Sequence, residues 1–330
     1  MSQVGKAPVF IVACPRSGTS LLYHMLLSSG GFAQFRTEMN VFNVLVPIYG
    51  DPAVPKNRKR MVEAWLQSKA FSVSGLDMEA IRTKLLAECR SAGDFLRIVM
   101  GEVAREQRVD RWADSTPTNL LYIHEIKRAL PEARVVHVIR DGRDVALSLD
   151  KLGWSRPFPW ERSKGLIAAG LYWNWIVGKG RKLGETIKPD YMEVRYEDLV
   201  SRPRETLADL GRFISHDLDY ERIQRVAIGS LRQPLSSFKK EIEAGEFNPV
   251  GRWKESFPRE QLEIFESLAS RLLWEFGYVL ATSPNGSAHR FRARQMRLLY
   301  PMAFNFKQWV RSNTHLSKFF VKYSAVLIDK

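Results

Sequence analysis

The sequence predicts an α/β fold in three layers, with a central parallel sheet of about five strands flanked by helices. Three observations predict it. Short β-rich apolar runs recur along the chain. Two of them end in a glycine-bearing turn that leads straight into a helical pattern. The clearest run, Arg134-Val-Val-His-Val-Ile139, is almost continuously apolar, as expected of a buried parallel strand covered on both faces.

Pro8-Val-Phe-Ile-Val-Ala-Cys14 is the first strand and ends in the turn Pro15-Arg16-Ser17-Gly18. A helix follows from Thr19 to about Ser29, with Leu22, Met25, Leu26 and Ser29 on one face. Gly30-Gly31 stops it, and Phe32 to Phe35 is expected as a second short strand. Residues 58–107 read as helical. Trp112-Ala113-Asp114 is the third strand, with a helix over Thr118 to Ala129, and Arg134 to Ile139 is the fourth, ending in Arg140-Asp141-Gly142. Tyr191 to Tyr196 is the fifth, before a helix that starts near Pro203 with Leu207, Leu210, Phe213 and Ile214 inward. Ser283-Pro-Asn-Gly-Ser287 reads as a linker, dividing the chain into a domain at 1–282 and a basic, aromatic-rich extension at 283–330.

The 330 residues are 45% hydrophobic and 26% charged, an ordinary globular composition with material for a large core. Fifty basic residues against 36 acidic give a net charge of +14, which favours anionic partners: nucleotide, nucleic acid, acidic substrate or membrane surface. Nine Lys or Arg against the single acid Asp329 fall between His289 and Lys330. Only Cys14 and Cys89 occur, which excludes a disulfide scaffold. No apolar stretch reaches the roughly eighteen residues of a membrane span; the best, Val41 to Tyr49, is broken by Asn43 and Pro47. The first strand begins near Val9, with no room for a signal peptide before it, so a cytoplasmic protein is expected.

Both glycine turns suit phosphate. In Cys14-Pro-Arg-Ser-Gly-Thr-Ser20 a glycine lies among hydroxyl residues where a strand becomes a helix, and backbone amides at such a helix start cradle anions. Ser17, Thr19 and Ser20 add hydroxyl donors. The loop lacks the lysine and the first glycine of an ATP-binding P-loop, which weakens a nucleotide-kinase reading. In the second turn Arg140 offers a planar fork for phosphate, and Ser148 lies eight residues on, inside the next helix. A surface Arg-Asp ion pair is the plainer alternative there. Two anion-type turns on neighbouring parallel strands point to a ligand with two separated phosphates at the sheet's carboxyl edge.

Residues 15–22 (Pro-Arg-Ser-Gly-Thr-Ser-Leu-Leu) resemble the 5′-phosphosulfate loop of sulfotransferases that use PAPS (3′-phosphoadenosine-5′-phosphosulfate). Val138-Ile-Arg-Asp-Gly-Arg-Asp-Val-Ala-Leu-Ser148 resembles their 3′-phosphate motif, with Arg140 and Ser148 at the matching places. The Arg-Ser-Gly-Thr form is closest in style to the tyrosylprotein-type branch and its bacterial relatives. The resemblance covers about residues 8–280 and implies a P-loop-like fold, PAPS as co-substrate, PAP as product and no metal. Residue by residue it further implies Tyr196 near the nucleotide, Lys254 and Arg252 in a late basic loop over the donor, and Ser115 with Thr116 beside the donor bridge. Tyr196 as a core aromatic, Lys254 as a solvated base and Ser115 as a helix cap are the plainer alternatives.

Sulfuryl transfer needs the acceptor oxygen deprotonated as it attacks and the leaving phosphate stabilised. Arg16, in the first loop, is the expected stabiliser, and Glu38, after the second strand, resembles the glutamate base of the tyrosylprotein branch. Its spacing from Arg16 departs from that branch by one residue, so the histidines stay in view as alternatives. His137, inside a buried strand, reads as packing. The acceptor is a hydroxyl of a phenol, sugar, lipid or peptide, and the aromatic segments 153–160 and Tyr172-Trp-Asn-Trp175 are candidates to line its pocket. A nucleic-acid-binding protein using the basic tail is the rival of another class, although no nucleic-acid partner is expected. The tail itself suits peripheral membrane contact or dimerisation.

Overall fold

The structure is a computed structural model and describes residues 7–152, 165–232, 248–282 and 287–314, with the backbone alone at 287–294 and 312. Its sheet holds four parallel strands, β1 (Val9–Ala13), β2 (Ala113–Asp114), β3 (Arg134–Ile139) and β4 (Tyr191–Arg195), in the order β2-β1-β3-β4. The main helices are α1 (Thr19–Ser28), α2 (Pro55–Leu66), α3 (Met78–Glu88), α4 (Ala92–Glu106), α5 (Ile123–Ala129), α6 (Gly142–Leu152), α7 (Gly165–Glu185), α8 (Tyr196–Ser201), α9 (Pro203–Ile214), α10 (Arg259–Glu275) and α11 (Ser287–Asn313).

Each central strand feeds two cores, because successive side chains leave opposite faces of a sheet. Val9, Ile11 and Ala13 pack with Val136 and Val138 against Leu22 and Leu26 of α1 and Leu207, Leu210 and Ile214 of α9. Phe10 and Val12, with Val135 and Ile139, meet the larger cluster of α2 to α7 and α10, which includes the buried Trp65, Phe95 and Trp173. Helices on both faces explain why β1 and β3 read as unbroken apolar runs.

Phe32 to Phe35 is where the expected sheet of about five strands is corrected to four. Only one bridge forms there, Phe32 to Arg111, with the Ala33 amide on the Arg111 carbonyl at 2.7 Å. Beyond it, side chains take the groups a ladder would need. Gln107 accepts from the Gln34 amide at 2.7 Å and donates to its carbonyl at 3.1 Å, while the Tyr23 hydroxyl donates to the Phe35 carbonyl at 2.5 Å. A local apolar run cannot reveal that its backbone partners are side chains distant in sequence.

Helix α11 lies across α7 and α10, burying Tyr300 and Phe304 against Ile167, Ala168, Leu171 and Leu268. No helix among the described residues is long and apolar enough to cross a membrane.

Candidate functional site

The sheet register brings the two turns together. Ala13 pairs with Val138, and Ile139 with Arg195, so the loop after β1, Arg140 after β3 and Tyr196 after β4 leave the same carboxyl edge side by side. Gly18 caps α1 at φ 95°, in the left-handed region, and a methyl group there would meet the Tyr196 ring at 2.2 Å. The glycine therefore serves both turn geometry and a close aromatic contact. Lacking a side chain, it leaves the first amides of α1 without a side-chain cap. Thr19 is buried and Ser20 exposed at that helix start.

Four of the residues expected at the donor converge. Arg16 donates through Nε to Ser148 Oγ at 2.9 Å, and Arg140 donates to the Arg16 carbonyl at 3.2 Å while its guanidinium lies 4.6 Å from the Tyr196 ring centroid. Burial, and after it the like charge of Arg140, pulls the Arg16 pKa down. Ser17 Oγ and Arg140 Nε are buried and have no hydrogen-bond partner among the described residues. Two cations facing each other beside buried donors without acceptors is the chemistry of an anion cradle, because an isolated cluster of this kind is costly to bury.

The second turn is not the exposed Arg-Asp pair of the plainer reading. Arg143 is 2% exposed and bridges Asp141 at 2.8 Å and Glu266 at 2.6 Å, with its guanidinium 3.6 Å from the Trp253 ring centroid. Behind it, Trp173 donates to the Arg140 carbonyl at 3.2 Å, and Glu197 accepts from the Asp141 amide at 2.9 Å and the Tyr278 hydroxyl at 2.8 Å. These groups fix the turn that aims Arg140. Trp173 is thus buried in the core, and its indole N–H also holds the turn.

Asp144 does work that the sequence did not reveal. Its carboxylate accepts from the amides of Gly251 at 2.8 Å and Trp253 at 2.9 Å, and Arg140 donates to the Pro249 carbonyl. The late basic loop is thereby tied to the second turn, carrying Arg252 and the exposed Lys254 to the same edge. An acid in the first turn of a helix is ordinarily read as a dipole complement, so only tertiary structure exposes this role. In Asp144→Asn one amide faces an NH2 group instead of an oxygen. Exchange of the Gly251 and Trp253 amides is expected to speed up about tenfold or more, the equivalent of losing a charged hydrogen bond. Unchanged protection of both amides would show the loop to be held elsewhere.

Glu38 and Asp114 form a second charged feature. Asp114, at the end of β2, is buried and accepts from the Thr116 amide at 3.2 Å, the Thr116 hydroxyl at 3.0 Å and Asn119 at 2.8 Å. Desolvation still raises its pKa to about 6. Glu38 is open to solvent, yet desolvation by the surrounding protein and then the charge of Asp114 push its pKa to about 7, with Asn40 opposing. Thr116 thus serves Asp114, and Ser115 lies half-buried beside it. Among the histidines, His137 is held near pKa 3 by burial in β3 and bonds the Tyr191 hydroxyl at 2.6 Å. His24 bonds Ser230 at 2.7 Å and His124 bonds Thr186 at 2.8 Å. No group of three or more His, Cys, Asp or Glu among the described residues could hold a metal ion. The aromatic segment 153–160 lies outside the described residues.

Comparison with known proteins places the chain. No curated protein matches it by sequence. Among solved structures, the sulfotransferase domain of the Synechococcus PCC 7002 olefin synthase aligns with a TM-score of 0.51 at 19% identity, covering 80% of this chain and 95% of that one. Sulfotransferase STF9 from Mycobacterium avium aligns at 0.48 and 14% identity over 86% and 79% of the two chains. Mouse sulfotransferase SULT7A1 complexed with PAP aligns at 0.44 and 15% identity over 88% of each. At these identities the likeness to the first speaks for the fold alone. The sequence model of the sulfotransferase family matches residues 8–221, well over half of the chain and both glycine turns. The chain belongs to the sulfotransferase family and is a sulfotransferase.

Proposed function

We propose that the enzyme takes PAPS as its donor, holding the 5′-phosphosulfate in the loop of Arg16, Ser17, Gly18, Thr19 and Ser20 and the 3′-phosphate at Arg140 and Ser148. The observation that carries this reading is the pairing of like charges, Arg16 against Arg140, beside the partnerless Ser17 Oγ and Arg140 Nε. Phosphate oxygens would satisfy all of them at once. The donor supplies an activated sulfuryl group on a phosphate leaving group. Tyr196, Ser115, Arg252 and Lys254 complete its surroundings, and Glu38 removes the proton of the acceptor hydroxyl.

The acceptor, a phenol, sugar, lipid or peptide hydroxyl, is assigned to the cleft of about 870 Å³ beside residues 30–36. His24, Phe32, Arg36, Val73 and Val109 line it, and Arg36 is two residues from Glu38 along the chain. In this reading residues 1–282 do the chemistry in the cytoplasm, and residues 283–330 serve contact with another surface.

Titration with PAP and AMP tests the donor assignment. Arg140→Ala is expected to weaken PAP binding by about 2–4 kcal/mol, since a charged partner of a phosphate is lost. AMP, which lacks the 3′-phosphate, should bind the wild type poorly and hardly respond to the change. Equal losses for both would make Arg140 a support of the Arg16 and Pro249 carbonyls and remove it from 3′-phosphate recognition.

A further inference from the structure

Helix α11 has apolar residues on two opposite faces. Its inner face is occupied: Phe304 packs on Tyr172 and Trp175 with ring centroids 5.5 and 5.3 Å away, and Tyr300 and Val310 are 5% and 4% exposed. Its outer face is not. Leu298, Leu299, Met302, Phe306 and Trp309 are each 56–67% exposed. At about 100° per residue they share an arc of about 100° centred opposite the line of Tyr300 and Phe304. Phe306 and Trp309 stack on each other there, 6.4 Å between centroids. A helix that needed only to pack on its own domain would present polar residues on that side.

The helix that carries the stripe is cationic in sequence. The first turns of α11 carry Arg290, Arg292, Arg294 and Arg297 in sequence, and no acid occurs in the helix. Arg297 also lines a groove between α7, α10 and α11 with Lys179, Lys182 and Arg271, against Glu185 and Glu275.

We propose that the outer face of α11 docks the enzyme onto an anionic lipid bilayer. Bulky apolar and aromatic residues on one face of a helix rich in cations match a helix lying in the membrane interface, where acyl chains meet anionic headgroups. A second copy of the chain fits less well, because pairing two copies of a helix that has basic residues and no acid would bring like charges together. A bilayer instead supplies the opposite sign. The docking stands independently of the donor assignment, since none of the stripe residues belongs to the two phosphate-type turns.

The test uses the full chain with vesicles of phosphatidylcholine alone and of phosphatidylcholine mixed with phosphatidylglycerol. The wild type should sediment with the mixed vesicles, weakly with the neutral ones, and less as salt rises. Replacing Leu298, Met302, Phe306 and Trp309 together with Ser should weaken the mixed-vesicle binding at least about tenfold through lost apolar contact, with PAP affinity unchanged. If the fourfold change disturbs PAP binding, Phe306→Ser and Trp309→Ser taken singly should each still reduce sedimentation. Three results would overturn the proposal: a wild type that ignores the mixed vesicles, stripe variants that bind as tightly as the wild type, or a dimer in solution that the stripe variants abolish. Failure of PAP binding in the wild type would instead count against the donor assignment.

Discussion

Glu38→Gln is expected to lower kcat by about 10²–10⁴, the usual worth of a positioned general base, while PAP affinity stays near that of the wild type. A base matters only when the acceptor hydroxyl is in place, so donor binding should not register its loss. The pH dependence follows from the environment of Glu38, where desolvation by the surrounding protein and then the charge of Asp114 raise its pKa to about 7. Only the carboxylate can accept a proton. Activity should therefore be low below pH 7 and rise to a plateau above it, and Glu38→Gln should remove that limb. Higher pH should partly rescue the variant with a phenolic acceptor, which ionises by itself, but not with a sugar hydroxyl. The deciding measurement is turnover of Glu38→Gln at saturating donor. Near-wild-type turnover would take Glu38 out of the mechanism and bring forward His24, which lines the cleft assigned to the acceptor.

What the sequence could disclose was local. β1 and β3 were legible because a covered parallel strand needs an unbroken apolar run, and the start of α1 because a glycine turn interrupts one. The convergence of Arg16, Ser148, Arg140 and Tyr196 was legible in part, since turns after neighbouring parallel strands must share an edge. What escaped depends on distant partners. Asp144 looks like any acid opening a helix until its two amide donors, more than a hundred residues away, are seen. Trp173 looks like core packing, and it is core, yet its N–H fixes the Arg140 carbonyl. Phe32 to Phe35 has the composition of a strand, but Gln107 and Tyr23 hold its backbone. Glu38 was visible as a carboxylate after the expected second strand. The neighbouring charge of Asp114, with its consequence for pH, was not.

Arg16→Ala should reduce turnover by about 10²–10³, the cost of removing one preorganised stabiliser of developing charge, and should weaken PAP binding as well. The backbone supplies an independent argument. Arg16 sits at φ 74°, a left-handed conformation that costs a non-glycine residue about 1–2 kcal/mol. The proposed role would account for a residue held there against its preference, with its guanidinium partly buried against Arg140. Arg16→Gly should accordingly fold at least as stably as Arg16→Ala while losing just as much turnover. Arg16→Lys separates charge from shape: it keeps a cation but gives up the planar fork that reaches Ser148, so turnover should recover only in part. Thermal melting and single-turnover kinetics on the three variants decide the matter. If turnover instead followed stability, with Arg16→Gly as active as the wild type, Arg16 would be a turn residue, and stabilisation of the leaving phosphate would pass to Arg140 and Lys254.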